Sequence, residues 1–320
     1  MQNLKLIIFV LMCIAVFSCK KSNENANEVR IAYFPNITHA QALVMKGQGI
    51  LEKKGIAVKW RAFNAGPSEI EALFAGEIDI GYIGPVPAAN GYVQSQGDLK
   101  IVAGASNGGS VLVVRKAAGI NSVAELNGKT VAVPQFGNTQ HLSLLGLLNA
   151  NNLKPTSKGG TVNVVQSSNP DIANLMDQSR IDAALVPEPW GSILELKYNA
   201  GVLLDYNEVD ANGIPSTAVV IVSKDFLGKR RNIVEKFMEA HKEATLYINE
   251  NPAAKEIINA QISEVTQSVI ENDILESAFK RLDITYQIPS ESIMNFAKIS
   301  LDEKFVSKLP DMDMIDSSLK

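Results

Sequence analysis

Five short stretches of this sequence hold residue types that could bind or transform something: Pro35-Asn36-Ile37-Thr38-His39, Gly84-Pro85-Val86-Pro87, Gly104-Ala105-Ser106-Asn107-Gly108, Gly137-Asn138-Thr139-Gln140-His141 and Pro187-Glu188-Pro189-Trp190. The third has the G-x-S-x-G spacing of a nucleophile elbow and would make Ser106 the nucleophile of a hydrolase. An elbow feeds a helix, whereas here Gly109 leads directly into the β-rich run Val111 to Arg115, so a flexible turn is the better reading. Gly128-Lys129-Thr130 ends like a phosphate-binding loop, but the glycine required five positions earlier is Val123 and the segment enters a strand. His39, His141 and His241 form no local metal motif such as H-E-x-x-H, and no metal or cofactor is expected. Cys13 and Cys19 both fall in the first 20 residues, which leaves the rest of the chain without a disulfide framework, a thiolate metal site or a cysteine nucleophile.

What remains points to binding. His39 and His141 each sit in the first turn of a helix that begins just after a strand, while His241 lies on the apolar side of its own helix and reads as a packing residue. At the carboxyl edge of a parallel sheet, free N–H groups and the positive ends of helix dipoles converge, making an anion site that needs no Lys or Arg. Asn36, Thr38 and His39, the Gly84 turn, and Asn138, Thr139, Gln140 and His141 have this geometry; any one junction taken alone reads more readily as simple helix capping, and three such junctions together weaken that reading. Trp190 either covers the core or walls a cleft, and Glu188 there could accept a hydrogen bond from a ligand amine or an opposing backbone group.

Positioning such junctions takes a sheet with crossover helices. Val29 to Phe34, then Ala40, Leu43, Val44, Gly47, Ile50 and Leu51 at helical spacing, then Ile56 to Phe63, begin an alternation of β-rich runs and helix-period segments. That alternation predicts the α/β class with mainly parallel sheets. Thr38-x-x-Gln41, Ser68-x-x-Glu71 and Ser122-x-x-Glu125 have capping-box spacing, and Gly55, Gly76 and Gly128 fall where helices should end. Ile78 to Ile83, Lys100 to Ala105 and Val111 to Arg115 complete one set of strands; Lys129 to Pro134, Val162 to Gln166, Ile181 to Val186 and Val202 to Asp205 form a second. Thr217 to Ser223 is followed by helices only: Val234, Phe237, Met238, His241, Thr245 and Ile248 share one side of the first, and Asn251-Pro252 starts the next. A helical tail cannot build a sheet of its own, so residues 28–115 and 217–320 are expected to form one lobe and 116–216 the other, with hinge crossings near 116 to 120 and 208 to 217.

The chain has 320 residues, 46% hydrophobic and 20% charged, with a net charge of −4, an ordinary globular composition that argues against nucleic acid as a partner. Lys5 precedes an apolar run from Leu6 to Phe17, too short to span a bilayer but suited to a secretory signal over residues 1–18. Val16-Phe17-Ser18-Cys19 resembles the lipobox of bacterial lipoproteins, in which the cysteine is acylated. The polar stretch 19–27 is expected to be a tether reaching at most roughly 30 Å from the membrane, outside the cytoplasm.

A family resemblance now has its residues. The stretch Val29 to Ala40, Phe63-Asn64-Ala65-Gly66-Pro67, Glu71 to Gly81, Val133-Pro134-Gln135-Phe136-Gly137-Asn138-Thr139-Gln140 and Pro187-Glu188-Pro189-Trp190 resemble the nitrate/taurine/aliphatic-sulfonate class of solute-binding proteins of ABC importers, in order over most of residues 29 to 310. The resemblance implies a two-lobed, type II periplasmic-binding-protein fold whose lobes close on a small anion in a cleft and present it to a membrane permease. It also implies that Asn36, Thr38, His39, the Gly84 turn, the Gly109-Ser110 turn, Asn138 to His141, Glu188 and Trp190 face that cleft. Members of the class often carry an acid where this chain has His141. The related pyrimidine synthases of thiamine biosynthesis use a cysteine-rich motif, and this chain has no cysteine beyond Cys19. The expectation is a monomeric, membrane-anchored, non-enzymatic receptor for a sulfonate-like oxyanion, taurine or nitrate, held mainly by helix N-termini and neutral side chains. A thiamine-precursor-like solute, a ligand-sensor subunit and a serine hydrolase are the alternatives.

Overall fold

A computed structural model describes residues 28–210 and 213–319; the expected leader 1–18, Cys19 and the rest of the tether lie outside them. The chain starts with β1 (Glu28–Tyr33), a 3-10 turn at Ile37–His39, α1 (Ala40–Gln48), α2 (Ile50–Lys53), β2 (Ala57–Ala62), α3 (Gly66–Phe74), β3 (Ile80–Ile83), α4 (Pro85–Gln94) and β4 (Leu99–Gly108). It continues through β5 (Ser110–Arg115), β6 (Thr130–Val133), α5 (Thr139–Ala150), β7 (Asn163–Gln166), α6 (Asn169–Asp177), β8 (Ala183–Pro187), α7 (Trp190–Lys197) and β9 (Ala200–Leu204). The last part comprises β10 (Ser216–Ser223), α8 (Lys224–Lys229), α9 (Arg231–Glu250), α10 (Ala254–Thr266), α11 (Asn272–Phe279), β11 (Leu282–Ile284) and α12 (Ser290–Asp302).

Two sheets result, one per lobe, in the orders β11-β4-β10-β3-β1-β2 and β7-β6-β8-β5-β9. The fold is α/β, with both sheets mixed: β1, β2 and β3 pair in parallel, as do β6, β7 and β8, while β4, β10 and β11 in the first sheet and β5 and β9 in the second pair antiparallel. The central strand β10 is buried from Ser216 to Val222 and carries Val219-Val220-Ile221-Val222, the β-branched run expected of a strand covered on both faces. Helices pack on each side, giving separate apolar cores around Leu43, Val220 and Phe237 on one face of the first sheet and Ile70, Ile83 and Ile221 on the other. In the second lobe the two faces bury Leu112, Leu144 and Leu185, and Val113, Ile172 and Val186. The long helix α9 buries Val234, Phe237, His241 and Thr245, so its apolar stripe lies where the helical period put it.

The first crossing is earlier than its expected position near 116 to 120. Val111 to Arg115, read above with the first lobe, pairs with β8 and β9 in the second sheet. Gly108 and Gly109, both at φ +70, turn the chain out of one sheet and into the other. Such φ values favour glycine, and a Cβ on Gly108 would stand 2.6 Å from the Arg281 carbonyl oxygen, so both conformation and space exclude a side chain. Two apolar runs flanking Gly-Gly read as neighbours in one sheet; the left-handed pair separates them instead. The return runs from Leu204 to Ser216.

A strand also follows β10 after all. The three residues of β11 are too few to show alternation, yet they pair antiparallel with β4, Leu282 opposite Gly108 and Ile284 opposite Ser106, and so cover the sheet edge. Ser106 is an interior residue of β4, wholly buried, with its Oγ donating to the Thr38 carbonyl at 2.9 Å. No elbow exposes it.

Candidate ligand-binding cleft

The carboxyl ends of β1, β3, β6 and β7 all point toward the space between the lobes, and each passes into a helix start. After β1, Asn36 caps the 3-10 turn, its Oδ1 accepting from Thr38 N at 3.1 Å and Thr38 Oγ1 at 2.5 Å. Asn36 thus does the capping that the Thr38-x-x-Gln41 spacing assigned to Thr38. Gln41 is buried, and its Nε2 donates to the carbonyl oxygens of Ala105 and Thr285 at 2.8 and 3.2 Å, fixing α1 to the sheet. His39 stacks on Phe34 with ring centroids 4.5 Å apart, and its Nδ1 accepts from Phe34 N at 2.9 Å. Burial pushes its pKa down to about 3, so the ring is neutral and carries its proton on Nε2.

From the same lobe, α3 begins at Gly66-Pro67 and α4 at Pro85, each with proline in its first turn, where a missing N–H costs no helical bond. Gly84 caps α4 at an ordinary φ of −66. Space, not conformation, requires glycine there: a Cβ would fall inside the van der Waals shell of Thr139 Oγ1, which belongs to the opposite lobe. In that second lobe Asn138 caps α5, accepting from His141 N at 2.8 Å, and Gln140 Nε2 donates to Ser110 Oγ at 2.9 Å. Thr139 Oγ1 is buried and has no hydrogen-bond partner, and neither has Asn169 Oδ1 at the start of α6.

These residues line one cleft: Asn36, Thr38, His39, Asn64, Gly66 and Gly84 on one side, Asn138, Thr139, Gln140 and Asn169 on the other, with Phe34, Ala65, Pro87, Pro134, Pro187 and Thr217 completing the wall. Its cavity measures about 30 Å³ within about 420 Å³ of space that includes open solvent, so the lobes stand nearly closed. Among the described residues no Lys, Arg, Asp or Glu lines it. Its electrostatics come from four α-helices of nine or more residues that begin at the lining. Each contributes a partial positive end of roughly +0.5 charge and free N–H groups. A small anion whose oxygens accept hydrogen bonds is what such a surface can hold.

Five of the residues expected at the cleft lie behind it. Gly109 O accepts from Glu188 N at 2.6 Å, and Ser110 stands one hydrogen bond back, orienting Gln140. His141 packs between Phe136 and Phe305, at 5.0 and 5.7 Å between ring centroids, with Nδ1 accepting from Gly137 N. Burial, and secondarily the charge of Lys158, push its pKa down to about 4. Trp190 is half-buried against the second lobe's core. Glu188 is fully buried, and its carboxylate takes Ser192 N and Oγ at 3.0 and 3.1 Å and Arg281 Nη1 at 3.0 Å. Burial raises the Glu188 pKa, while Ser192 and Arg281 act against that rise. Arg281, just before β11 in the other lobe, also pairs with Glu195 and Asp205 at 2.8 and 2.9 Å, so the group forms a bracket between lobes beside the crossings. The sequence reading did not place Asn64 or Asn169 in the site. Gly66-Pro67 and Asn169-Pro170, glycine or asparagine followed by proline, are the helix-start signals that could have found them.

Residues 22–263 match the model of the NMT1-like family. The taurine-binding periplasmic protein of Escherichia coli (strain K12) is 32% identical over 202 residues, covering 63% of this chain and 60% of that protein's own length. A putative aliphatic sulfonates-binding protein of Bacillus subtilis (strain 168) is 24% identical over 98% of this chain and 92% of its own. Among solved structures, the alkanesulfonate-binding protein SsuA from Xanthomonas axonopodis pv. citri bound to MOPS aligns with a TM-score of 0.76 at 19% identity, covering 91% of this chain and 98% of that one. The periplasmic nitrate-binding protein NrtA from Synechocystis PCC 6803 aligns with 0.71 at 12% identity, covering 92% and 87%. These two likenesses are of fold.

Proposed function

From the premise that this chain belongs to the NMT1-like family, we propose that it is an extracytoplasmic solute-binding lipoprotein that closes on a small sulfonate-like oxyanion and delivers it to an ABC importer. The observation that carries the reading is Thr139 Oγ1: a hydroxyl buried at a helix N-terminus opposite Gly84, with no partner among the described residues, in a cleft that none of their charged side chains lines. An oxyanion oxygen placed there accepts from the hydroxyl and from free N–H groups of the α5 start, while Asn36, Thr38 and His39 approach from the facing lobe. Because the ligand touches both lobes only when the cleft is shut, its differential affinity draws the open molecule into the closed one, the form offered to a permease. Selectivity follows from fixed donors: a solute that leaves them unpaired forfeits about 1 to 3 kcal/mol per buried group.

Calorimetry on the soluble body, residues 28–320, tests the reading against ethanesulfonate, taurine, nitrate, sulfate and thiamine precursors. Binding of a sulfonate or nitrate below millimolar supports it; tight binding of a thiamine precursor alone would replace it. Attachment through Cys19 belongs to the same proposal, and a fatty-acid probe should label the full chain but not Cys19→Ala.

A further inference from the structure

Resting on the solute-receptor reading, we infer that an apolar clasp, formed where α12 of the first lobe lies on α5 of the second, holds the lobes together before any ligand arrives, so that affinity is set in part by residues that never touch the ligand. Val86 and Phe296 from the first lobe and Leu142 from the second are wholly buried and form a cluster of their own, separate from the four cores within the lobes. Ile299 and Phe305 pack against it. Phe305 also meets the ring of His141 edge-on at 5.7 Å, and Ile299 Cδ1 stands beside Gly146, one turn beyond Leu142 on α5. At the outer end Lys158 of the second lobe pairs with Glu303 of the first. None of these side chains lines the ligand cleft.

The course of α12 shows which motion these contacts oppose. Its first turn is fixed to a lobe crossing, where Ser292 Oγ accepts from Ser216 N at 2.8 Å. Phe296 and Ile299 follow at roughly 6 and 10 Å along the helix axis from that point, and Glu303 and Phe305 come after the helix ends. The Arg281 bracket joins the lobes on the other face of the second sheet, with Arg281 O accepting from Gly109 N at 2.7 Å in the crossing itself. A rotation about the crossings therefore leaves the bracket nearly in place and draws α5 away from α12, uncovering Leu142 and Phe296 to water. That exposure is unfavourable whatever occupies the cleft. The Lys158–Glu303 pair, at the rim, adds little. Apparent affinity scales with the fraction of molecules already closed, so weakening the clasp raises the Kd of every ligand by one common factor.

Titration calorimetry with ethanesulfonate, taurine and nitrate on Phe305→Ala, Leu142→Ala and the double variant, each with folding verified by its melting curve, measures that factor. Phe305→Ala should weaken every anion that binds by about fivefold to tenfold, the losses agreeing within about twofold, and Phe305→Leu should recover most of the loss. Unchanged affinities in both single variants overturn the inference, as does a loss confined to one anion, which would make these residues part of that ligand's own contacts. Scattering without ligand keeps the clasp and the oxyanion reading apart: the double variant should be more expanded than the wild type, and equal radii overturn the clasp even where the anions bind. If fewer than two anions bind the wild type, this ligand-free comparison alone decides the clasp, and binding of none removes the oxyanion reading. If Leu142→Ala does not fold, Phe305→Ala takes the double variant's place in the comparison.

Discussion

Replacing Gly84 by alanine should block closure without disturbing the lobe that carries it. At φ −66 the backbone of residue 84 suits any side chain, so the open molecule should fold normally and lobe 1 should keep its stability. In the closed cleft the added methyl would overlap Thr139 Oγ1 by roughly 1 Å relative to ordinary contact, while Thr139 Cβ would stay 3.4 Å away, an ordinary distance. Relief requires either parting the lobes or rotating the threonine hydroxyl away from its position, and each removes part of the ligand's contact. Overpacking of this size costs about 1 to 3 kcal/mol, a loss of roughly 5- to 150-fold in affinity. Thr139→Ala alone should cost about 1 to 3 kcal/mol through the lost hydroxyl. The two effects should not add, because the atom that clashes is the atom removed: in a Thr139→Ala background, Gly84→Ala should cost under about 0.5 kcal/mol more. Calorimetry of the four proteins with the tightest-binding anion gives the cycle, and scattering with ligand shows whether Gly84→Ala stays expanded. Full additivity would refute the argument, since it would mean that Gly84 and Thr139 do not meet across the bound cleft.

Three other consequences can be measured. Glu69 has both oxygens buried and unpartnered, and burial raises its pKa well above the usual carboxylate range, so the folded protein holds a proton that the unfolded chain has lost; stability is fullest below the ordinary carboxylate pKa and declines as pH rises toward the folded value. Glu69→Met should then raise stability by about 1 to 3 kcal/mol at pH 8 and less at pH 4.5 in urea titrations; an equal gain at both would sink the assignment. Arg281→Ala leaves the wholly buried Glu188 without its cation and should cost about 3 to 5 kcal/mol, read as a lowered urea midpoint; an unchanged midpoint would show the bracket to be idle. Finally, burial holds His39, His141 and His241 at about 3, 4 and 4, so their ring resonances should not titrate between pH 7 and 5, and stability should fall as pH drops below about 6.5, where only the unfolded chain takes up the protons; a midpoint near 6.5 for any of them would contradict its placement.

Much of the fold was legible because period and punctuation agreed. Runs such as Val219 to Val222 and the stripe from Val234 to Thr245 appear where apolar spacing put them, and Gly55, Gly76 and Gly128 take the positive φ that a helix end asks for. Asn36, Thr38, His39, Gly84 and Asn138 to Gln140 come together at one cleft because a strand end followed by a helix start places them there regardless of lobe. What failed was three-dimensional commitment. Glu188 has the residue type for ligand contact, but its partner Arg281 is 93 positions away and nothing local announces the pairing. Histidine 141 likewise shares its turn with lining residues while its ring faces Phe305 from the other lobe. The Gly108-Gly109 turn hid the lobe boundary, because a turn's sequence does not say which sheet the next strand joins.

The position of β10 has a consequence for the order in which the molecule assembles. Residues 110–204 supply every strand of the second sheet, so that lobe is continuous in sequence and can complete its pairings from local chain. The first sheet cannot: β3 and β4 are joined only through β10, with Val219 opposite Ile83 and Ser216 opposite Asn107, across more than a hundred residues of intervening chain. Loop closure of that length is slow and leaves the edges of β3 and β4 unpaired in the meantime. The hinge is thus a junction between a lobe able to fold early and one that must wait for the chain to return, and the wall of the cleft that the first lobe supplies is complete only once β10 has inserted between β3 and β4.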